Sequence, residues 1–125
     1  MVKTKCVLII DDEPDIREIA RVSLEITKHW DVLTAASGLE GIDIAAVKQP
    51  DVILLDLALP EVDGLATLQR LRSEPATKDI PVLLLTATAK VAKRADYGGL
   101  GAQGVLLKPF DPGVLGDQIE ATLSV

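Results

Sequence analysis

Val7-Leu8-Ile9-Ile10-Asp11-Asp12 decides the fold: four consecutive aliphatic residues, with no polar alternation, run directly into two acids. A half-exposed strand alternates apolar and polar residues. A short unbroken apolar run fits a strand covered on both faces, as in a parallel sheet flanked by helices. The same form recurs downstream. Val52-Ile53-Leu54-Leu55 ends on Asp56, Val82-Leu83-Leu84-Leu85 on Thr86, and Val105-Leu106-Leu107 on Lys108-Pro109. In open parallel sheets the functional crevice lies beyond the carboxyl ends of the strands. Three acids, a hydroxyl and a lysine are therefore expected at one edge.

Between these runs the chain alternates strand and helix five times. Strands are expected near 5–10, 31–35, 52–55, 80–85 and 104–107. The first helix begins near Pro14 and sets Ile16, Ile19, Ala20 and Leu24 on one face. Ser37 with Glu40 forms a capping box that opens the second, which runs to about Val47. A loop over 56–63 leads to a third helix from Gly64 to Leu71. Ser73–Asp79 with Pro75 is a connection, a fourth helix covers 88–97, and Asp111-Pro112 caps and starts a fifth that ends near Leu123. No linker, repeat or low-complexity tract interrupts the pattern. The expected class is α/β, a three-layer α/β/α sandwich on a five-stranded parallel sheet. The flavodoxin-like order 2-1-3-4-5 is the common one at this size, although periodicity alone does not determine it.

The 125 residues suit one domain, 1–125, with a real core. Trp30, Tyr97 and Phe110 are the only aromatic residues, too few for stacking on single-stranded nucleic acid. A net charge of −6 also disfavours direct nucleic-acid contact. Cys6 is the lone cysteine, read as a small buried hydrophobe, so no internal disulfide is possible and a reducing compartment is the default. No apolar run approaches the ~18 residues of a membrane span, and no signal peptide is recognisable; the expectation is a cytoplasmic protein without a membrane partner.

Asp11, Asp12, Glu13 and Asp15 crowd five positions directly after the first strand. A solvated acidic face is one reading; a cation site is the other, favoured by the position. Asp56 is the candidate nucleophile, since a carboxylate can attack phosphorus and carry the group as an acyl phosphate. The charge then needs a hard divalent cation, Mg²⁺ or alternatively Mn²⁺. Asp12 and Asp56 would ligate it directly, Asp11 directly or through water, and the Ala58 backbone carbonyl would add an oxygen. Lys108 would pair with one phosphoryl oxygen, while Thr86 and the N–H of Ala87 would bind another. Taken singly, Asp56 reads as a turn cap, Thr86 as a strand end and Lys108 as a surface lysine. Their joint placement carries the argument.

Ile10-Asp11-Asp12-Glu13, Asp56 through Gly64, Thr86-Ala87 and Lys108-Pro109-Phe110 together resemble the receiver domain of two-component response regulators, the CheY-like superfamily. The resemblance spans the whole chain. It implies a β5α5 receiver phosphorylated on Asp56, with Mg²⁺, by the phosphohistidine of a sensor histidine kinase or phosphotransfer protein. It also implies a cis peptide bond before Pro109, an unknown downstream protein partner, and a monomer or a weak, phosphorylation-dependent dimer. A module of this kind is a switch rather than an enzyme. The chain ends soon after its last helix, so it reads as a stand-alone receiver or as part of a longer regulator.

Three departures matter. Receivers usually place an aromatic residue three positions before the active-site lysine; here it is Val105, so the signal would pass through the backbone of 86–91 and the next helix instead. The positions that tune acyl-phosphate lifetime are Ala58 and Thr88, and neither carries a carboxylate or carboxamide to orient water. Slow to moderate self-dephosphorylation is therefore expected. Lys90, Lys93 and Arg94 form a basic cluster in an acidic protein, either a solvated helix face or, with Val105, a partner face.

Gly99-Leu100-Gly101-Ala102-Gln103-Gly104 matches a dinucleotide fingerprint by letter, but it lies between a helix and a strand, the reverse of the required context. It reads as a helix end with positive φ. His29, the lone histidine, reads as a surface or turn residue at the distant end of the second strand; with no second His and no useful Cys, zinc and Cys–His chemistry are excluded, and serine-hydrolase chemistry has no histidine partner to support it. Two competing functions remain: a receiver-like docking module that takes no phosphate, and an aspartyl-phosphate phosphatase. The second needs an acid two residues after Asp56, where Ala58 stands.

Overall fold

A computed structural model describes residues 5–57, 64–86 and 101–123. Its elements are β1 (Cys6–Ile10), α1 (Pro14–Lys28), β2 (Asp31–Ala35), α2 (Gly38–Lys48), β3 (Val52–Asp56), α3 (Gly64–Ser73), β4 (Val82–Thr86), β5 (Gly104–Leu107) and α4 (Leu115–Leu123). The sheet is parallel with order β2-β1-β3-β4-β5, the doubly wound arrangement. The helix expected over 88–97 lies outside the described residues. So do Ala58, Ala87, Thr88, Lys90, Lys93 and Arg94.

The absence of alternation in the strand sequences has its cause in two separate cores. On one face Leu8, Ile10, Ile53, Leu55, Val82 and Leu84 pack with Ile42 and Ala45 of α2 and Leu68 and Leu71 of α3. On the other, Val7, Ile9, Val52, Leu54, Leu83, Leu85 and Leu106 pack with Ala20 and Leu24 of α1 and Leu115 and Ile119 of α4. Successive side chains of a strand point to opposite faces, so a strand buried on both must be apolar at every position.

Local signals set the helix ends. Pro14 occupies the first turn of α1, Asp15 is acidic there and Lys28 is basic in the last, both matching the helix dipole. His29 adopts a left-handed φ of 58° and donates to the Glu25 carbonyl at 3.1 Å, while Trp30 N–H reaches Leu24 at 3.4 Å. This closure turns the chain so that Trp30 is buried. At α2, Ser37 Oγ accepts from Glu40 N–H at 3.2 Å. The Glu40 carboxylate accepts from Ala36 N–H at 2.7 Å, one residue earlier than the usual box. Gly101 has φ +91°, as expected for the glycine-rich segment.

Three expectations need correction. Ile19 is 45% exposed; the buried line of α1 is Ala20, Ser23 and Leu24, with Ile16 half-buried. Residue 19 keeps the three-and-four spacing with residues 16 and 23, but it lies about 100° from residue 20 and about 140° from residue 24, at the solvent edge of the buried stripe. It instead lines an open groove of about 370 Å³ with Glu18, Val22, Ser23 and Pro112. Second, Asp111 closes a turn rather than the helix: its Oδ1 accepts from Gly113 N–H at 2.8 Å and its carbonyl from Val114 at 3.1 Å, and α4 begins at Leu115. Third, β4 starts at Val82 rather than 80 and reaches Thr86. Cys6 is half-buried at the start of β1; burial first, then the charges of Asp51 and Asp31, push its thiol up.

Candidate functional site

Strand register brings the site together. Ile10 pairs with Leu55, so Asp11 continues beside Asp56, which itself pairs with Leu85. Thr86 pairs with Leu107, and Lys108 follows. The four strand tips therefore lie at neighbouring levels of one edge.

Asp11 is fully buried and every polar group on it is engaged. Its amide donates to the Ala35 carbonyl at 3.1 Å, its carbonyl accepts from Arg17 Nη1 at 2.8 Å, and Oδ1 accepts from Glu13 N–H at 2.9 Å. Oδ2 lies 2.8 Å from Lys108 Nζ. The same ammonium stands 3.3 Å from Oδ2 of Asp56, a residue 2% exposed, and 3.5 Å from Oε1 of the exposed Glu13. Burial alone would lower the Lys108 ammonium. Its hydrogen bond and attraction to Asp11, followed by Asp56, outweigh that and hold it above the ordinary lysine value.

Carboxylate oxygens of Asp11, Asp12, Glu13 and Asp56 all lie within 4.8 Å of one another. One ammonium, in contact with three of the four acids, leaves the cluster strongly negative. All four donors are carboxylate oxygens; Cys6 is the first residue of β1, at the opposite end of that strand, and His29 lies before β2. Such a donor set fits a hard divalent cation of the Mg²⁺ kind and not a thiolate or imidazole metal.

Two backbone features hold this edge. Lys108 N–H donates to the Thr86 carbonyl at 2.8 Å, and the Lys108–Pro109 bond is cis. At Gly64, a Cβ would stand 2.4 Å from Leu57 Cα and 2.6 Å from the Asp56 carbonyl oxygen, so the start of α3 closes on the end of β3 only with glycine there. Thr86 is buried at the edge, and Val105 is partly buried against the α2–α3 core. Asp11, Asp12, Asp56, Thr86 and Lys108 thus occupy the edge expected of them.

Glu13 and Arg17 were not expected in the site. Glu13 lay within the acidic run, but as the residue before α1 it would ordinarily serve as a cap. No side-chain cap bond forms, and the carboxylate turns toward Lys108 instead. Arg17 carries no local signal, because its bond to Asp11 depends on how α1 leaves the strand.

Comparison with known proteins agrees with this geometry. The family profile for the response regulator receiver domain matches residues 7–120. The DNA-binding dual master transcriptional regulator RpaA of Synechocystis is 45% identical over 105 residues, covering 84% of this chain and 43% of that protein. The probable transcriptional regulator ycf27 of Cyanophora paradoxa is 37% identical over 98% of this chain and 49% of its own length. The chain thus spans about half the length of these relatives. Chemotaxis response regulator CheY4 of Vibrio cholerae superimposes with a TM-score of 0.86 at 30% identity, covering 96% of this chain and 99% of that one. A putative response regulator from Chloroflexus aurantiacus gives 0.86 at 32%, covering 98% and 100%. With a parallel 2-1-3-4-5 sheet and an acid–lysine cluster at its carboxyl edge, the chain belongs to the response regulator receiver domain family.

Proposed function

We propose that this receiver is a phosphoacceptor switch whose acceptor is Asp56. The observation that carries the reading is the position of Lys108 Nζ, 2.8 Å from Asp11 and 3.3 Å from Asp56, which joins the tips of β1, β3 and β5 in one pocket. Asp12 and Asp56, with Asp11 directly or through water and the Ala58 carbonyl, would hold Mg²⁺, which when bound supplies charge neutralisation and polarises the phosphoryl group. An Asp56 oxygen attacks phosphorus, the P–N bond of a donor phosphohistidine breaks, and the electron pair leaves with the imidazole. Lys108 moves its charge onto a phosphoryl oxygen, and the Thr86 hydroxyl donates to another.

The donor is a sensor histidine kinase or phosphotransfer protein, as the family membership supports. Output at the level of transcription is supported by the relatives, whose names describe transcriptional regulators. Since Val105 offers no ring to rotate, the readout passes through residues 86–98; beryllofluoride with Mg²⁺ should shift their amide resonances, and unchanged shifts would remove this route. At the positions that tune acyl-phosphate lifetime in this family the chain has Ala58 and Thr88, neither with a carboxylate or carboxamide, so loss of the phosphoryl group is slow to moderate.

The test is acetyl phosphate with Mg²⁺ followed by intact mass spectrometry. Wild type should gain one phosphoryl group and Asp56→Asn none. Equal gain by both proteins would move the acceptor elsewhere, and no gain by either would leave a docking module.

A further inference from the structure

Asp12 is one of the two exposed acids of the cluster, and among the described residues no group donates a hydrogen bond to its carboxylate. Its direction is therefore set by the peptide planes on either side of it. The plane after it is held by Glu13 N–H bonded to Asp11 Oδ1 at 2.9 Å. The plane before it carries the Asp11 carbonyl, and that oxygen is held by Arg17 Nη1 at 2.8 Å. Arg17 reaches back six residues from α1, with its own amide fixed to the Glu13 carbonyl at 3.1 Å. Among the described residues its guanidinium forms no ion pair, although Asp11, Asp12, Glu13 and Asp15 all lie within six positions of it. Its one side-chain bond among the described residues is to the backbone between two of the acids.

We propose that Arg17 is a positioning residue for the metal site: its bond to the Asp11 carbonyl aims the Asp12 carboxylate toward Asp56 and so sets the Mg²⁺ concentration at which the pocket works. The phosphorylation arm of the test rests on the phosphoacceptor reading; the binding arm does not. The two ways Arg17 can act have opposite signs. As a nearby positive charge it weakens cation binding, so its removal would tighten Mg²⁺. As a strut it orders a ligand, so its removal loosens Mg²⁺.

The experiment titrates Mg²⁺ into wild type, Arg17→Ala, Arg17→Met and Arg17→Lys by calorimetry, and measures acetyl-phosphate phosphorylation against Mg²⁺ in the same proteins. Arg17→Ala should bind Mg²⁺ about five- to tenfold more weakly, at the low end of what loss of a ligand-orienting partner does. Its half-maximal Mg²⁺ for phosphorylation should rise equally, while the rate at saturating Mg²⁺ stays within about twofold. Arg17→Lys, which keeps a donor for the carbonyl, should recover most of the affinity. Mg²⁺ binding by Arg17→Ala as tight as wild type, or tighter, overturns the proposal, as does a wild type that binds no Mg²⁺. Trp30 fluorescence verifies folding, and if the alanine variant unfolds, the lysine and methionine pair decides: strut action ranks Lys above Met, charge alone the reverse. A wild type that binds Mg²⁺ but takes no phosphoryl group would sink the phosphoacceptor reading and leave the Arg17 comparison intact.

Discussion

Replacing Lys108 with methionine should make the fold depend on a divalent cation. The ammonium bridges the buried carboxylates of Asp11 and Asp56, at 2.8 and 3.3 Å. Methionine keeps an unbranched apolar stem of similar bulk and removes only the charge. Breaking one side of a buried ion pair costs about 3–5 kcal/mol. Here the exposed Asp12 and Glu13 open the cluster to solvent, which screens part of the repulsion and leaves a loss of about 2–3 kcal/mol. For a domain of this length that lowers the melting temperature by roughly 7–15 °C. Mg²⁺ should then take over the role of the ammonium. A divalent and a monovalent cation about 5 Å apart repel by about 1–2 kcal/mol in a water-like medium, so losing the lysine should tighten Mg²⁺ about tenfold. At a concentration of 100 times its Kd, Mg²⁺ stabilises wild type by about 2.7 kcal/mol; the variant, then at 1,000 times, gains about 4.1 kcal/mol, closing about half the deficit. Urea unfolding followed by circular dichroism, with EDTA and with Mg²⁺, measures all four values. Equal stability of the two proteins in EDTA, or an equal Mg²⁺ increment in both, would refute the electrostatic account of the pocket.

Other consequences are as direct. The elevated Lys108 ammonium contributes stability that is complete below the unfolded lysine pKa of about 10.4 and is lost as pH rises through the higher folded value. The stability gap between wild type and Lys108→Met should therefore be flat across neutral pH and close in strong alkali; a gap already narrowing near pH 8 would contradict this. Gly64→Ala drives a methyl into the Leu57 backbone and the Asp56 carbonyl and should cost about 1–3 kcal/mol or more, with impaired phosphorylation because the end of β3 must shift. A neutral result in urea unfolding would show that the close approach is not needed. Ser37→Ala removes the α2 cap and should cost about 1 kcal/mol, with Asp56 chemistry untouched.

Much of this architecture is legible in the chain because a doubly covered sheet leaves an unmistakable trace. Runs such as Val52–Leu55 must be apolar throughout, and the residue at which each run ends marks the carboxyl edge. Asp11, Asp56, Thr86 and Lys108 are read from that rule together. Strand order is not written in periodicity and comes only with the family resemblance. Ile19 shows a second limit: a helix stripe read from composition takes in any aliphatic residue at roughly the right spacing, whereas burial depends on a rotation of tens of degrees. Glu13 and Arg17 show a third. Whether an acid at the head of a helix caps it or turns back to a lysine, and whether an arginine two turns from a strand end reaches its carbonyl, depend on torsions that follow from packing.

The pairing of the strands has a mechanical corollary. Asp56 belongs to the register row of Leu85 and Leu106, which faces α1 and α4, whereas Thr86 shares the parity of Leu84 and Val105, which face α2 and α3. A charge placed on Asp56 and a hydroxyl drawn toward it would thus start from opposite sides of one membrane-thin partition. Any tug between them is transverse, like a rivet pulled through a plate, and tends to tilt the last rungs of β4 instead of sliding a helix along its own layer.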